Sequence, residues 1–181
     1  MLHNGSSLSG KERNRLFWNR GGVEFEDLSG LTGLDSPADG RAVSALDFDR
    51  DGWVDFAVVS ANSPLLQLFR NRICEAFDVQ HKALALRLVG ANRSSESKAG
   101  VSNRDGYGAI VSVHAGDRVW TREVRTSGGL YSAHDPRLHF GLGDVERVDR
   151  VEIRWPSGVV QTLRDLPTNQ TLTVEEPRDN S

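Results

Sequence analysis

The chain has 181 residues, with 22 Lys and Arg against 25 Asp and Glu, and therefore a net charge of −3 at pH 7. The two signs are interleaved, so there is no basic stripe to follow a phosphate backbone, and nucleic acid is excluded as an expected partner. The longest apolar runs, such as "LALRLV", are far shorter than the roughly 18 residues of a membrane span. The single cysteine, Cys74, excludes an internal disulfide and is expected to be a half-buried free thiol.

Residues 1–13 are predicted to form an N-terminal tail. They contain no apolar segment of the kind that a signal peptide needs. If the protein is exported, we therefore expect its signal to lie upstream of this sequence or to have been removed.

Residues 14–72 contain an internal repeat. The sequence "NRLFWNRG" at 14–21 returns as "LQLFRNR" at 66–72, which aligns Phe17 with Phe69 and Asn19 with Asn71 at an offset of 52. A period in this range is typical of a propeller or array unit. One such unit cannot bury both faces of its sheet alone. We therefore expect the lone repeat to pack on further repeats, on its neighbouring domain or on another chain.

Four aspartates fall within nine positions of the stretch "LDFDRDGWVDFAVV" (residues 46–59). With Asp47 at position 1, Asp49, Asp51 and Asp55 stand at positions 3, 5 and 9. Calcium takes six to eight oxygen ligands, and a tight loop of this spacing offers carboxylates together with the main-chain carbonyl of position 7, which is Trp53. The spacing therefore predicts a calcium-binding loop.

Two other interpretations of this loop are an EF-hand, which the sequence excludes, and a solvated acidic turn, which it leaves open. An EF-hand requires Glu at position 12 and helices on both sides, whereas this chain has Val58 there and flanks that predict strands. A solvated acidic turn between two strands remains an alternative. Repulsion among carboxylates that are held close together favours a compensating cation, and Gly52 permits the sharp turn.

The second half of the chain predicts short strands separated by turn residues, which indicates an all-β fold. Val151, Ile153 and Trp155 alternate with polar residues, as in a strand with one buried face. Trp155 is expected to be a core residue, with an aromatic platform for a sugar as the alternative. Hairpins are predicted within 113–120 and 153–161, and the predicted strands are residues 83–91, 108–115, 118–125, 137–142, 150–155, 159–166 and 170–176.

The stretch "GGLYSAHDPRLHF" (residues 128–140) carries the best candidates for catalysis. His134, Asp135 and His139, with Tyr131 nearby, could act as metal ligands or as an acid and base. The two histidines are five positions apart and would point to opposite faces of a continuous strand. A turn histidine and a sheet histidine are therefore the simpler interpretation, and no catalytic residue is assigned.

Two family resemblances cover most of the chain. "ALDFDRDGWVDFAVV" followed by "LFRN" resembles the FG-GAP/VCBS repeat, the blade unit of integrin-like β-propellers, whose loop binds calcium. "NRDGYGAIVSV", "REVRTSGGLYS", "DPRLHFGLGD", "VDRVEIRWPSG" and "LTVEE" resemble the ASPIC/UnbV domain of cartilage acidic protein-like proteins. One departure is Ala133, where the family pattern has Gln. The resemblance implies metal ligands at Asp47, Asp49, Asp51, Trp53 and Asp55.

These observations predict an all-β protein, with one propeller-blade-like calcium-binding repeat followed by a compact antiparallel β-sandwich or barrel-like domain. The predicted boundaries are 1–13 for the tail, 14–75 for the repeat, 76–177 for the second domain and 178–181 for a C-terminal tail.

The resemblance implies a non-enzymatic, calcium-binding module of the extracellular or periplasmic space or the cell surface. We expect it to act in binding or adhesion, as the C-terminal part of a larger repeat protein. Its expected partner is a protein or a carbohydrate, and self-association through the lone repeat is a further possibility. The alternative is an enzyme or an accessory subunit of a natural-product pathway that uses His134, Asp135 and His139.

Overall fold

The computed structural model describes residues 12–78, 81–96, 98–125, 128–129 and 132–178. Within these ranges the chain is nearly all β, which confirms the predicted fold class. No helix in the described ranges is long and apolar enough to cross a membrane. The elements in chain order are β1 Phe17–Arg20, β2 Glu24–Asp27, α1 Ser29–Thr32, β3 Gly40–Leu46, β4 Asp55–Ser60, β5 Leu66–Phe69, α2 Ile73–Phe77, β6 Lys82–Val89, β7 Ile110–Ala115, β8 Arg118–Glu123, β9 Arg137–Gly143, β10 Arg147–Arg154, β11 Val160–Pro167 and β12 Gln170–Glu175.

Residues 12–78, hereafter the N-terminal unit, form two small antiparallel sheets. β1 pairs with β2 in a hairpin, and β4 lies between β3 and β5 in a three-stranded sheet. The segments on both sides of the aspartates are thus strands, as predicted. Among the side chains of this unit that the structure describes, Ala38 and Val58 are the only buried apolar ones. The unit therefore has almost no hydrophobic core of its own.

One face of the β3–β4–β5 sheet stays apolar and open. Val59 pairs with Leu66, and Ala57 with Leu68, and paired residues of antiparallel strands point to the same face. Val59, Leu66 and Leu68 are each about half exposed, at 47%, 58% and 57%. This exposure agrees with the expectation that a single repeat cannot cover both of its faces.

Residues 81–178, hereafter the C-terminal domain, consist of two sheets. One has the strand order β11-β10-β7-β8 and the other β12-β6-β9. The seven predicted strands correspond to β6–β12, and both predicted hairpins are confirmed by the β7–β8 and β10–β11 pairings. β12 pairs with β6 in parallel, a pairing that the alternation along each strand does not specify.

The core of the C-terminal domain lies between these sheets. Leu84, Leu86 and Leu88 on β6 share one buried cluster with Val151 and Ile153 on β10. Because the cluster draws on both sheets, they face each other as the two layers of a sandwich, and the described strands do not close into a barrel.

Two single residues behave as the sequence predicts. Trp155 is 3% exposed and donates its indole N–H to Gln161 at 3.0 Å, which makes it a core residue and leaves no open ring face for a sugar. Cys74 is a partly buried free thiol.

A buried carboxylate fixes the C-terminal end of the domain. Glu176 is 5% exposed and accepts hydrogen bonds from the main-chain N–H groups of Ala91 (2.7 Å) and Ser102 (3.0 Å). It also accepts from the hydroxyls of Ser102 (2.7 Å) and Ser157. Burial acts to raise the pKa of Glu176, but these four donors outweigh it and hold the pKa below the usual glutamate range. The carboxylate thus connects three loops.

We expect Glu176→Ala to lower the free energy of unfolding by about 2–4 kcal/mol, because it leaves several buried donors without an acceptor. Its neighbour Glu175, whose side chain is 68% exposed and pairs with Arg93, provides the matched control. Glu175→Ala should cost less than about 1 kcal/mol. Urea unfolding of the three proteins measures the difference, and equal losses in the two variants would contradict the role given to Glu176.

Candidate metal centre

The aspartate loop, residues 47–55, leads from the end of β3 into β4. Two of its residues turn the chain with positive φ, Arg50 at 63° and Gly52 at 92°. At the φ of Gly52, a residue with a side chain would be strained, whereas glycine adopts this conformation freely. The predicted role of Gly52 in the sharp turn is therefore confirmed. The turn folds the loop back over its own carboxylates.

Three of the four aspartates converge. Asp47, Asp49 and Asp55 each offer one carboxylate oxygen, and these oxygens lie within 4.8 Å of one another. Asp55 is fully buried and Asp47 is 5% exposed, whereas Asp49 lies at the surface. Two negative charges are therefore held inside the protein beside a third.

The protein's own main chain compensates part of this charge. Asp55 accepts the N–H groups of Phe48 (3.1 Å) and Asn71 (2.7 Å), one on each oxygen. Asp47 accepts those of Asp51 (3.1 Å) and Gly52 (3.2 Å). These hydrogen bonds define the shape of the loop and hold the carboxylates in place.

The arrangement fits a hard divalent cation. Each carboxylate oxygen has two lone pairs, so the oxygens of Asp47 and Asp55 that accept one N–H can still coordinate a metal. Charged oxygen donors are the ligands that calcium prefers. Asp47, Asp49 and Asp55 would hold the ion, and further ligands would complete the shell.

The other two predicted ligands lie in the same loop but have different surroundings. Asp51 is outside the converging group. One of its oxygens accepts the N–H of Trp53 at 2.8 Å, and the other is 3.4 Å from the Arg70 guanidinium. The Trp53 ring packs edge-on against His81, with the ring centroids 5.7 Å apart.

The C-terminal domain docks beside this loop through residues 133–137, hereafter the docking segment. Asp135 donates its main-chain N–H to the carbonyl of Ala45 at 2.9 Å. Ala45 donates its own N–H to Nδ1 of His134 at 3.1 Å, and Ser44 donates its hydroxyl to the carbonyl of Ala133. These bonds satisfy polar groups on the free edge of β3, two residues before Asp47.

Arg137 links the docking segment to the aspartate loop. Its guanidinium donates to both oxygens of Asp135, at 3.0 and 2.8 Å from Nε, and to the main-chain carbonyl of Asp47 at 3.0 Å. The Asp135 side chain is only 8% exposed. Burial acts to raise its pKa, but the hydrogen bonds from Arg137 and His139 prevail and lower the pKa to about 2.

The three residues singled out for catalysis thus take part in this junction. The Nδ1 atom of His134 accepts a main-chain N–H, and its ring lies where a side chain on Gly128 would collide with it. The Nε2 atom of His139 lies 3.3 Å from the Asp135 carboxylate. His134 precedes β9, so the alternation rule does not relate it to His139. Tyr131 lies outside the described residues.

A cleft of about 220 Å³ lies between the loop and the β12-β6-β9 sheet. Asp47, Asp51 and Trp53 line it from the N-terminal unit, and His81 and His139 are among the residues that line it from the C-terminal domain. The aspartate loop therefore lies at the contact between the two parts of the molecule.

Two functional residues escaped the sequence analysis. Arg70 follows β5 in the sequence "LFRN", but the first copy of the repeat has Trp18 at this position, so the repeat gives no signal for the arginine. Arg137 stands in "DPRLH", 90 positions from its partner Asp47, and no local pattern relates the two.

Two known families match this chain, one in the N-terminal unit and one in the C-terminal domain. Residues 6–58 match the model of the FG-GAP-like repeat, and residues 100–181 match the model named ASPIC and UnbV. An FG-GAP-like repeat is thus followed by an ASPIC/UnbV domain over the matched residues, as the resemblances indicated. The first match contains the whole aspartate loop, and the second contains the docking segment. Comparison with curated proteins gives no match.

Removal of the Arg137 guanidinium should destabilise the junction. We expect Arg137→Ala to lower the free energy of unfolding by about 2–3 kcal/mol, because a mostly buried Asp135 loses its charged partner. The exposed pair of Arg147 and Asp165 provides the control, and Arg147→Ala should cost less than about 1 kcal/mol. Urea unfolding measures both values. Equal losses would show that Arg137 is an ordinary surface residue.

The junction should also weaken in acid. The pKa of Asp135 falls from 3.8 to about 2 on folding, so its charged form stabilises the protein above pH 3.8 and this contribution is lost as the pH falls through 2. We expect wild type to exceed Asp135→Asn in stability by on the order of 1–2 kcal/mol at neutral pH, and the difference should shrink between about pH 4 and 2. A difference that is constant over this range would contradict the assignment.

Proposed function

We propose that this chain is a non-enzymatic, calcium-binding module that works outside the cell. The observation that carries the proposal is the convergence of Asp47, Asp49 and Asp55 within 4.8 Å at the contact between the two domains. A calcium ion at this position would cancel the repulsion among the carboxylates. The Asp51 carboxylate and the Trp53 carbonyl are the ligands that we propose to complete the shell.

The chain's own residues supply the framework for such an ion. Main-chain N–H groups orient Asp47 and Asp55, and Arg137 holds the carbonyl of Asp47 from the other domain. A displacement of Asp47 would therefore act directly on the hydrogen bond from Arg137. Calcium is abundant in the extracellular space, where modules with dissociation constants of about 10⁻⁴–10⁻³ M remain occupied. The pair of domains is typical of extracellular or cell-surface proteins, which supports this location.

The binding role is supported by the surface of the repeat. Val59, Leu66 and Leu68 form an open apolar patch on the β3–β4–β5 sheet, and such patches mark contact sites. We propose that the partner is a protein or a carbohydrate. Self-association of two copies through the repeat is a further prediction. An enzyme would need His134, Asp135 and His139 free to meet a substrate. Their contacts at the junction favour a structural role for these residues.

Calorimetric titration of chelator-treated protein with calcium tests the proposal. Wild type should bind, and at a hundredfold excess over the dissociation constant the ion should stabilise the fold by about 2.7 kcal/mol. Asp49→Asn removes one charged ligand and should weaken binding by about tenfold or more. Asp165→Asn, at a carboxylate that is 79% exposed and far from the loop in sequence, should bind as wild type does.

Terbium luminescence gives a second readout in the same proteins, because Trp53 stands inside the loop and can sensitise a bound lanthanide. The signal should be lost in Trp53→Phe and competed away by calcium. No heat, no stabilisation and no sensitised emission in wild type would overturn the proposal.

A further inference from the structure

Arg70 lies against the aspartate loop and meets three carboxylates at once. Its Nε donates to Oδ2 of Asp49 at 2.6 Å, one Nη is 3.4 Å from Asp51, and the other is 2.8 Å from Glu75 on α2. The residue follows β5 directly, and β5 pairs with β4, whose first residue is Asp55. Strand pairing therefore places this guanidinium at the loop.

Asp49 is bound by a side-chain donor, Arg70, whereas the buried aspartates are bound by main-chain donors. Asp47 and Asp55 accept main-chain N–H groups, which stay in place as long as the loop is folded. Asp49 also accepts the guanidinium of a side chain that is 40% exposed and can swing away. Of these carboxylates, Asp49 therefore has the contact that can be exchanged most easily.

We propose that Arg70 is a built-in competitor of the metal, which occupies Asp49 and leaves it when a divalent cation binds. This inference rests on the proposed calcium function and adds its regulation. A guanidinium and a divalent cation repel each other strongly at a few ångströms, so both cannot share the Asp49 carboxylate. After it leaves Asp49, Arg70 keeps its ion pair with Glu75 on α2. Its positive charge therefore remains paired.

Such a competitor has two consequences. It lowers the affinity for the cation, because each binding event must break the Arg70–Asp49 pair. It also supplies positive charge to the loop while the cation concentration is low, so that the carboxylates stay close together. The module would then respond to changes in calcium concentration instead of being permanently loaded.

Three variants test the inference by calcium titration against wild type. Arg70→Gln removes the competing charge and should bind calcium about fivefold or more tightly. Arg72→Gln is the matched control, because Arg72 pairs with the same Glu75 at 2.6 Å and, within the described part of the chain, forms no ion pair with an aspartate of the loop. It removes the same unit of charge and should change the affinity by less than about twofold. Arg70→Lys keeps the charge without the planar fork and should fall between wild type and Arg70→Gln.

Melting curves provide a second, independent measurement. With chelator present, Arg70→Gln should melt below wild type, and calcium should raise its melting temperature by more than it raises that of wild type. Arg72→Gln should show the wild-type increment. Circular dichroism of each variant establishes that it is folded, and Arg70→Lys keeps the test available if Arg70→Gln does not fold.

The outcomes separate this inference from the proposed function. If wild type binds calcium and Arg70→Gln binds equally well or more weakly, Arg70 is not a competitor and the inference alone is overturned. If Arg70→Gln and Arg72→Gln gain affinity equally, the effect is one of net charge and the inference is again overturned. If neither wild type nor any variant binds, the calcium function itself is overturned and the inference with it.

Discussion

The contact on which the junction depends is the one made by Arg137, which joins the Asp135 carboxylate of one domain to the Asp47 carbonyl of the other. Among its described side chains, the N-terminal unit has only two buried apolar ones, Ala38 and Val58, and burial of apolar surface is the main force that folds a chain. Its β3 edge instead exchanges hydrogen bonds with the docking segment, through main-chain and side-chain groups. The sandwich core of the C-terminal domain thus supports the repeat through a strip of polar contacts.

Charge balance in the aspartate loop follows from the same arrangement. Two of the aspartates are buried, and a buried carboxylate is stable only when donors or cations compensate it. Main-chain N–H groups meet this need for Asp47 and Asp55, and Arg70 meets it for Asp49. A divalent cation would bind Asp47 and Asp55 together with their main-chain N–H donors, and it would compete with Arg70 for Asp49. The loop can therefore be a folded part of the structure and a responsive binding site at the same time.

Much of this structure could be predicted from the sequence, because the informative patterns are local. Alternation along "VEIRW" identified β10, turn residues identified the hairpins, and the spacing of the four aspartates identified the loop with its sharp turn at Gly52. Each of these patterns is complete within about fifteen residues. The family resemblances extended the same local information to whole domains.

The rest depends on contacts between distant parts of the chain. The docking segment meets β3 across 89 or 90 sequence positions, and the parallel pairing of β12 with β6 spans a similar distance. Nothing near His134 or Asp135 indicates that their partners lie on another strand. For this reason the sequence left His134 and Asp135 as a turn pair or as candidates for catalysis, and it gave no sign of their hydrogen bonds to β3.

The docking segment should make the two domains unfold as one cooperative unit. Native-state hydrogen exchange in increasing urea tests it most directly, by following the amides of β3 and β4 alongside those of β10. We expect the β3 and β4 amides, including that of Ala45, to remain protected until β10 opens and to be released together with it. Release of β3 and β4 at far lower urea, with the amide of Asp135 exchanging freely, would show that the repeat and the sandwich are joined by the chain alone.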